Sequence, residues 1–298
     1  MGVAFQSTVS FFYLLYGMLT LALQRPSHIL AVHRSSDPSK HLIAKKVREE
    51  SNELEILRIL DTTQPKSEHV IPLLDSFYMH PEQCVILPQM DTVTACLMMA
   101  RRELNDSVAR VCWGLIKGLA YLHMHYIAHR DIKPDNLVVD KDFCLKIIDF
   151  DVAMQVKDED EEVDDYCGTD YWMAPEVKKA PLMYSPIKAD RWSCGQVILY
   201  LLDELKKADN PLDAIAKKLT AQNPKQRPSL PESRIWDGAL LQDIPDVGKV
   251  GERRVLQPLQ DTVAVDKASR KPPKTKKQRR NQNEGEGFVV GPIVQKVR

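Results

Sequence analysis

Residues 127 to 150 read Ile-Ala-His-Arg-Asp-Ile-Lys-Pro-Asp-Asn-Leu-Val-Val-Asp-Lys-Asp-Phe-Cys-Leu-Lys-Ile-Ile-Asp-Phe. The apolar runs Leu137–Val139 and Leu145–Ile148 predict two short strands, joined by the polar turn Asp140-Lys141-Asp142. Around this hairpin stand four side chains whose chemistry belongs together. Asp131 can accept a proton, Lys133 carries a compact positive charge, and Asn136 and Asp149 offer hard oxygen ligands of the kind Mg²⁺ takes. A polar turn between two strands does not need all four.

The flanks add to the pattern. Leu104 to His125 places Val111, Leu115, Leu119 and Leu122 at helical spacing and delivers the chain into the hairpin. Upstream, His28 to Val47 predicts two antiparallel strands about Ser35-Ser36-Asp37-Pro38-Ser39. Strand alternation puts Ala44 and Lys46 on one face. Glu50 to Leu60 follows with Leu54, Leu57 and Leu60 at helical spacing, and Val70 to Met90 holds two further strand-like runs before Pro88-Gln89-Met90. Downstream lie Gly168-Thr169-Asp170-Tyr171-Trp172-Met173-Ala174-Pro175-Glu176, Asp190-Arg191-Trp192-Ser193-Cys194-Gly195 and Asn223-Pro224-Lys225-Gln226-Arg227-Pro228.

His-Arg-Asp-x-Lys-x-x-Asn, an apolar strand and Asp-Phe, with these flanks in order, resemble the eukaryotic protein kinases of the Ser/Thr type. The resemblance implies an α+β, two-lobed protein-kinase-like fold, with a reduced β-rich N-lobe and a shortened helical C-lobe. It implies phosphoryl transfer from ATP, with Mg²⁺, to Ser/Thr hydroxyls of a protein substrate. Asp131 and Lys133 are then the expected catalytic pair, and Asn136 and Asp149 the expected metal ligands. Lys46, ahead of Lys45, is the expected phosphate-contacting lysine, held by Glu53 with Glu55 as the alternative partner. Ala44, Met90 and Pro88 complete the expected nucleotide contacts. Asp190 is expected to brace the catalytic loop and Arg227 to pair with Glu176.

Three departures qualify the resemblance. No G-x-G-x-x-G precedes the first strands, since between Met1 and Lys45 the only glycines are Gly2 and Gly17. The usual Asp-Phe-Gly reads Asp149-Phe150-Asp151, and the interval from Asp190 to Arg227 is short, as if one helix were deleted. These features carry the alternative reading, a pseudokinase that binds nucleotide or scaffolds without turnover. The segment between Val152 and Gly168 has no Ser or Thr but carries Asp158-Glu159-Asp160-Glu161-Glu162-Val163-Asp164-Asp165. It reads either as a solvated acidic loop or as a permanent negative charge facing Arg130.

Of the 298 residues, 44% are hydrophobic and 28% charged, which suits a globular core, and the formal net charge is zero. From Lys249 onward thirteen Lys/Arg oppose five Asp/Glu, leaving the remainder acidic by about eight charges. Six cysteines without a C-x-x-C pair suggest reduced thiols. Residues 1–25 are apolar and read as a membrane anchor or an atypical start, 26–231 as the kinase-like domain, and 232–298 as a disordered basic tail. The run from Lys267 to Arg280 reads as a nuclear import signal, an anionic docking patch or a solubilising tail, without the interleaved aromatics of base stacking, so specific nucleic-acid binding is not expected. The expected location is cytoplasmic or nuclear, with membrane contact through the N-terminus as the alternative.

Overall fold

The computed structural model describes residues 28–34, 37–79, 82–179, 183–207, 211–230 and 288–290. The expected N-terminal anchor and the basic run from Lys267 to Arg280 lie outside them. No helix among the described residues is long and apolar enough to cross a membrane.

The small lobe is a five-stranded antiparallel sheet with one helix. Strands β1 (Ile29–Arg34) and β2 (Asp37–Val47) form a hairpin in which Ile29 faces Lys45 and Val32 faces Leu42. Helix α1 (Glu53–Thr62) follows, then β3 (Asp75–Met79) and β4 (Glu82–Pro88), which pair with each other, β4 also pairing with β2. Both faces of this sheet are apolar, and alternation divides its residues between them. Ile43, Val47, Val85 and Leu87 join the main core with Ile56, Leu57 and Leu60 of α1. Leu42, Ala44 and Ile86 turn the other way and cluster with Val32. Each buried aliphatic side chain removes enough apolar surface from water to contribute about 2 kcal/mol.

The remaining edge is filled from far along the chain. Strand β10 (Phe288–Val290) pairs antiparallel with β1, Phe288 opposite Arg34 and Val290 opposite Val32, so the sheet order is β10-β1-β2-β4-β3. The expectation of a disordered tail over 232–298 is therefore corrected at 288–290, where backbone pairing with β1 supplies structure that composition does not reveal.

In the large lobe, β5 (Asp91–Thr92) and α2 (Val93–Met99) lead to the 24-residue α3 (Arg101–Met124). The Thr92 hydroxyl caps α2 by accepting from Ala95 N–H at 3.1 Å. Leu104, Val111, Leu115, Leu119 and Leu122 give α3 its buried face. At Gly118 a Cβ would stand 2.7 Å from the His69 carbonyl oxygen and 3.0 Å from Ile147 Cδ1, so only glycine lets the helix approach this closely. Against that face lies the predicted hairpin, β7 (Leu137–Val139) and β8 (Leu145–Ile147), after the short β6 (Ile127–Ala128), which pairs with β9 (Met154–Gln155). Helices α4 (Pro186–Glu204) and α5 (Pro211–Leu219) complete the lobe.

Candidate active site

The loop between β6 and β7 is held in a conformation that ordinary residues avoid. Arg130 has φ 69° and Asp149, on the facing turn, φ 68°, both in the left-handed region that costs an L-residue about 1–2 kcal/mol. Buried Asp190 on α4 compensates for the first by accepting from His129 N–H at 2.7 Å and Arg130 N–H at 2.8 Å. Next to the second, Phe150 is fully buried, its ring 5.1 Å from that of His129, whose Nε2 bonds the Ile148 carbonyl at 2.9 Å. Strain is tolerated where surrounding structure over-determines it, and here it lies immediately before Asp131 and at Asp149 itself.

Asp131 is oriented by donors on both oxygens. Its Oδ1 accepts from the Thr169 hydroxyl at 2.7 Å, and its Oδ2 from Lys133 Nζ at 2.7 Å and Asn136 Nδ2 at 3.0 Å. Lys133 Nζ also donates to Thr169 Oγ1 at 2.7 Å. Asn136 Nδ2 donates a second bond to the Asp131 carbonyl at 2.8 Å, which leaves Oδ1 as the oxygen suited to a cation. Asp131, Lys133 and Asn136 are thus brought together as their spacing suggested. Thr169 is a site residue that the sequence reading did not single out, although its segment was recognised.

The expected pairing of Lys46 with Glu53 is not what the chain forms. Lys46 Nζ meets Glu82 at 2.6 Å, while Lys45 Nζ lies 2.9 Å from Glu53 Oε1, 2.5 Å from Asp149 Oδ1 and 3.3 Å from Asp151 Oδ1. The cause is the facing of β2: Ile43, Lys45 and Val47 turn toward α1, whereas Ala44 and Lys46 turn away. Ala44, expected as a nucleotide contact beside the lysine, accordingly packs in the Val32, Leu42 and Ile86 cluster, and it is Ile43 that shares the face of Lys45. Burial opposes the Lys45 charge, but Glu53 and Asp149 outweigh it and hold the ammonium pKa above the usual lysine value. Burial pushes the Glu53 carboxyl up to about 7, against the opposing pull of Lys45.

Asp151 does not occupy the left-handed region, so replacing glycine there introduces no positive-φ strain. It lies in the turn closed by Ala153 N–H to the Phe150 carbonyl at 3.1 Å, and its carboxylate accepts from Ser51 Oγ at 3.1 Å just before α1. Burial works against its charge, yet Lys45 and the hydroxyl hold its pKa below the ordinary carboxylate value. Pro88 ends β4 opposite Leu42, and half-buried Met90 packs on the main core where the lobes join.

The acidic segment is anchored to the large lobe. Asp165 pairs with Arg130, Asp160 with Lys188, and Glu159 with buried Arg191 at 2.5 Å. Val163 forms a two-way backbone bridge with Tyr184, both bonds 2.9 Å. Beyond it, Gly168 at φ 108° passes so close to the Arg130 carbonyl that a Cβ would stand 2.6 Å away. Arg227 donates to Glu176 at 2.5 and 2.8 Å. Its guanidinium also lies 5.1 Å over the Trp192 ring.

Comparison with known proteins places this geometry in a family. The protein kinase domain model matches residues 27–218. A serine/threonine-protein kinase, pak-1, of Caenorhabditis elegans is 33% identical over 171 residues, 55% of this chain and 29% of that protein. The serine/threonine-protein kinase CST20 of Candida albicans is 29% identical over 211 residues, 65% of this chain and 17% of its own length. PAK 1 of Mus musculus, another serine/threonine-protein kinase, is 33% identical over 159 residues, 51% of this chain and 28% of its own length. The chain thus spans less than a third of each of these relatives. With the family model covering most of the two-lobed unit, the chain belongs to the protein kinase family.

Proposed function

We propose that this chain transfers the γ-phosphoryl group of ATP to Ser or Thr hydroxyls of proteins. The observation that carries the proposal is the Asp131 carboxylate, fixed by Lys133 and Asn136 while Oδ1 already accepts from an alcohol, the Thr169 hydroxyl, at 2.7 Å. A group held this way is suited to orient an incoming alcohol and take its proton. The alcohol oxygen would form the new bond to the γ-phosphorus as the bond to the β,γ-bridging oxygen breaks, leaving ADP. Lys133 stands within reach of both alcohol and carboxylate and would offset negative charge developing between them. Lys45, set by Glu53, would hold the phosphates of the nucleotide, with Pro88 and Met90 beside the adenine. That the sequence relatives are named serine/threonine-protein kinases supports the same acceptor class.

The donor set fits a divalent cation. Glu53, Asp149 and Asp151 offer oxygens within 4.8 Å of one another, and Lys45 is the ammonium among them. Arg48 Nε also lies 3.7 Å from Asp151 Oδ2, so with Glu53 ionised the carboxylates outnumber the cations by one, and hard oxygens suit Mg²⁺. Asn136 and Asp149 would hold the ion, which supplies charge neutralisation at the phosphates.

The test is labelled transfer from Mg·[γ-³²P]ATP to a generic basic protein by the full chain, followed by phosphoamino-acid analysis. Label on Ser or Thr that disappears in Asp131→Asn is the expected result. No label with the parent chain, or equal labelling by the parent, Asp131→Asn and Asp149→Asn, overturns the proposal.

A further inference from the structure

The pairing of β10 with β1 joins the two ends of the described chain. Three residues, Phe288 to Val290, lie along the outer edge of β1, and the inner edge of β1 carries β2 with Lys45 opposite Ile29. Without β10, β1 would be the sheet edge and present unpaired N–H and C=O groups, a template for any extended segment. One strand therefore separates this added segment from the lysine that meets Glu53 and Asp149.

We propose that residues 288–290 are a detachable fifth strand of the small lobe, docking on β1 by main-chain pairing and thereby ordering the β1–β2 hairpin that carries Lys45. The mode of recognition is strand addition, in which backbone hydrogen bonds supply the affinity. Three residues form a short ladder, so the pairing is weak and displaceable. Residues 231–287, 57 in all, connect buried Leu230 covalently to this strand, so it meets β1 of its own chain at a higher effective concentration than a separate peptide would.

The experiment compares the full chain with one ending at Gly287 by amide hydrogen exchange and thermal unfolding, neither of which needs nucleotide. Truncation is expected to speed exchange in β1 selectively and lower the midpoint by about 3 °C. An excess of a peptide spanning 285–298 should restore both, and a scrambled peptide neither. Unchanged β1 exchange and midpoint after truncation would overturn the proposal. Should the truncated chain not fold, exchange in the full chain decides: slowed exchange at 288–290 supports docking, and exchange there at the rate of a free peptide refutes it. Mg·ATP affinity, expected to weaken about tenfold on truncation, rests on the nucleotide-binding reading above. A full chain that binds no nucleotide overturns that reading alone, while the exchange measurements still decide the fate of the strand.

Discussion

Lys45 Nζ and Glu53 Oε1 stand 2.9 Å apart beneath the small-lobe sheet, and the neighbouring Lys46 points to Glu82 on the other side. Two lysines in tandem thus make a matched experiment. Lys45→Met is expected to lower phosphoryl transfer by about 100-fold, as removal of a group that holds reacting phosphates does. Lys46→Met, which loses only a partly exposed ion pair, should stay within about twofold of the parent. Initial rates at saturating and limiting Mg·ATP check both; equal losses in the two variants would contradict the assignment.

Arg227 is buried in the large lobe, and Glu176 answers it with both oxygens. It also donates from Nε to the Ala221 carbonyl at 2.9 Å and from an Nη to the Lys188 carbonyl at 2.8 Å. Arg227→Ala strands Glu176 and two carbonyls, which predicts a loss of about 3 kcal/mol in urea unfolding. Arg227→Lys keeps the charge but not the fork, and should recover only part of that loss. A midpoint unchanged by Arg227→Ala would show that the pair contributes nothing net.

The hairpin of Asp131, Asn136 and Asp149 was readable because its residues are close in sequence and the polar ones sit between runs of unmistakable strand character. The choice between Lys45 and Lys46 was not. Alternation correctly put Ala44 and Lys46 together, but when both faces of a strand are apolar the pattern does not say which face meets α1; buried Glu53 decides that only in three dimensions. Strand β10 escaped for another reason. Phe-Val-Val is too short a run to signal a strand, and its partner Val32-His33-Arg34 lies at the opposite end of the sequence. The acidic run was legible as charge, whereas its partners Lys188 and Arg191 become visible only once α4 packs beneath it. Asp151 departs from the usual glycine, yet the backbone there avoids positive φ, and the side chain finds Lys45 and Ser51.

Asp165 joins the acidic segment to Arg130, one residue from Asp131. Arg130 is largely buried, so removing its anion leaves a desolvated cation beside the loop that aims the candidate base. Asp165→Asn should therefore loosen residues 158–168, seen as faster amide exchange and easier proteolytic cleavage there, and slow transfer by about tenfold. Neutralising Asp158, which accepts from Asp160 N–H at 2.8 Å, and Glu162, neither of which forms an ion pair among the described residues, should do neither. If all three substitutions behave alike, the segment acts through bulk charge and not through the Arg130 contact.

His123 Nε2 lies 3.2 Å from Asp190 Oδ2, in the same buried patch that fixes the backbone of His129 and Arg130. Burial pushes its pKa below the usual histidine value, with Asp190 pulling the other way and losing. The neutral ring, donating to Asp190, is then the folded form, while the unfolded chain binds a proton near the ordinary value of about 6.5. A depressed folded pKa contributes stability that is complete above the unfolded value and is lost as pH falls through it toward the folded one. Urea midpoints should consequently decline below about pH 6.5 in the parent chain. In His123→Gln, whose amide can still donate to Asp190 but does not titrate, the decline over that window should be smaller, although the midpoint at pH 7.5 is lower from the change in packing. Parallel curves for the two proteins between pH 7.5 and 5 would show that acid sensitivity originates elsewhere.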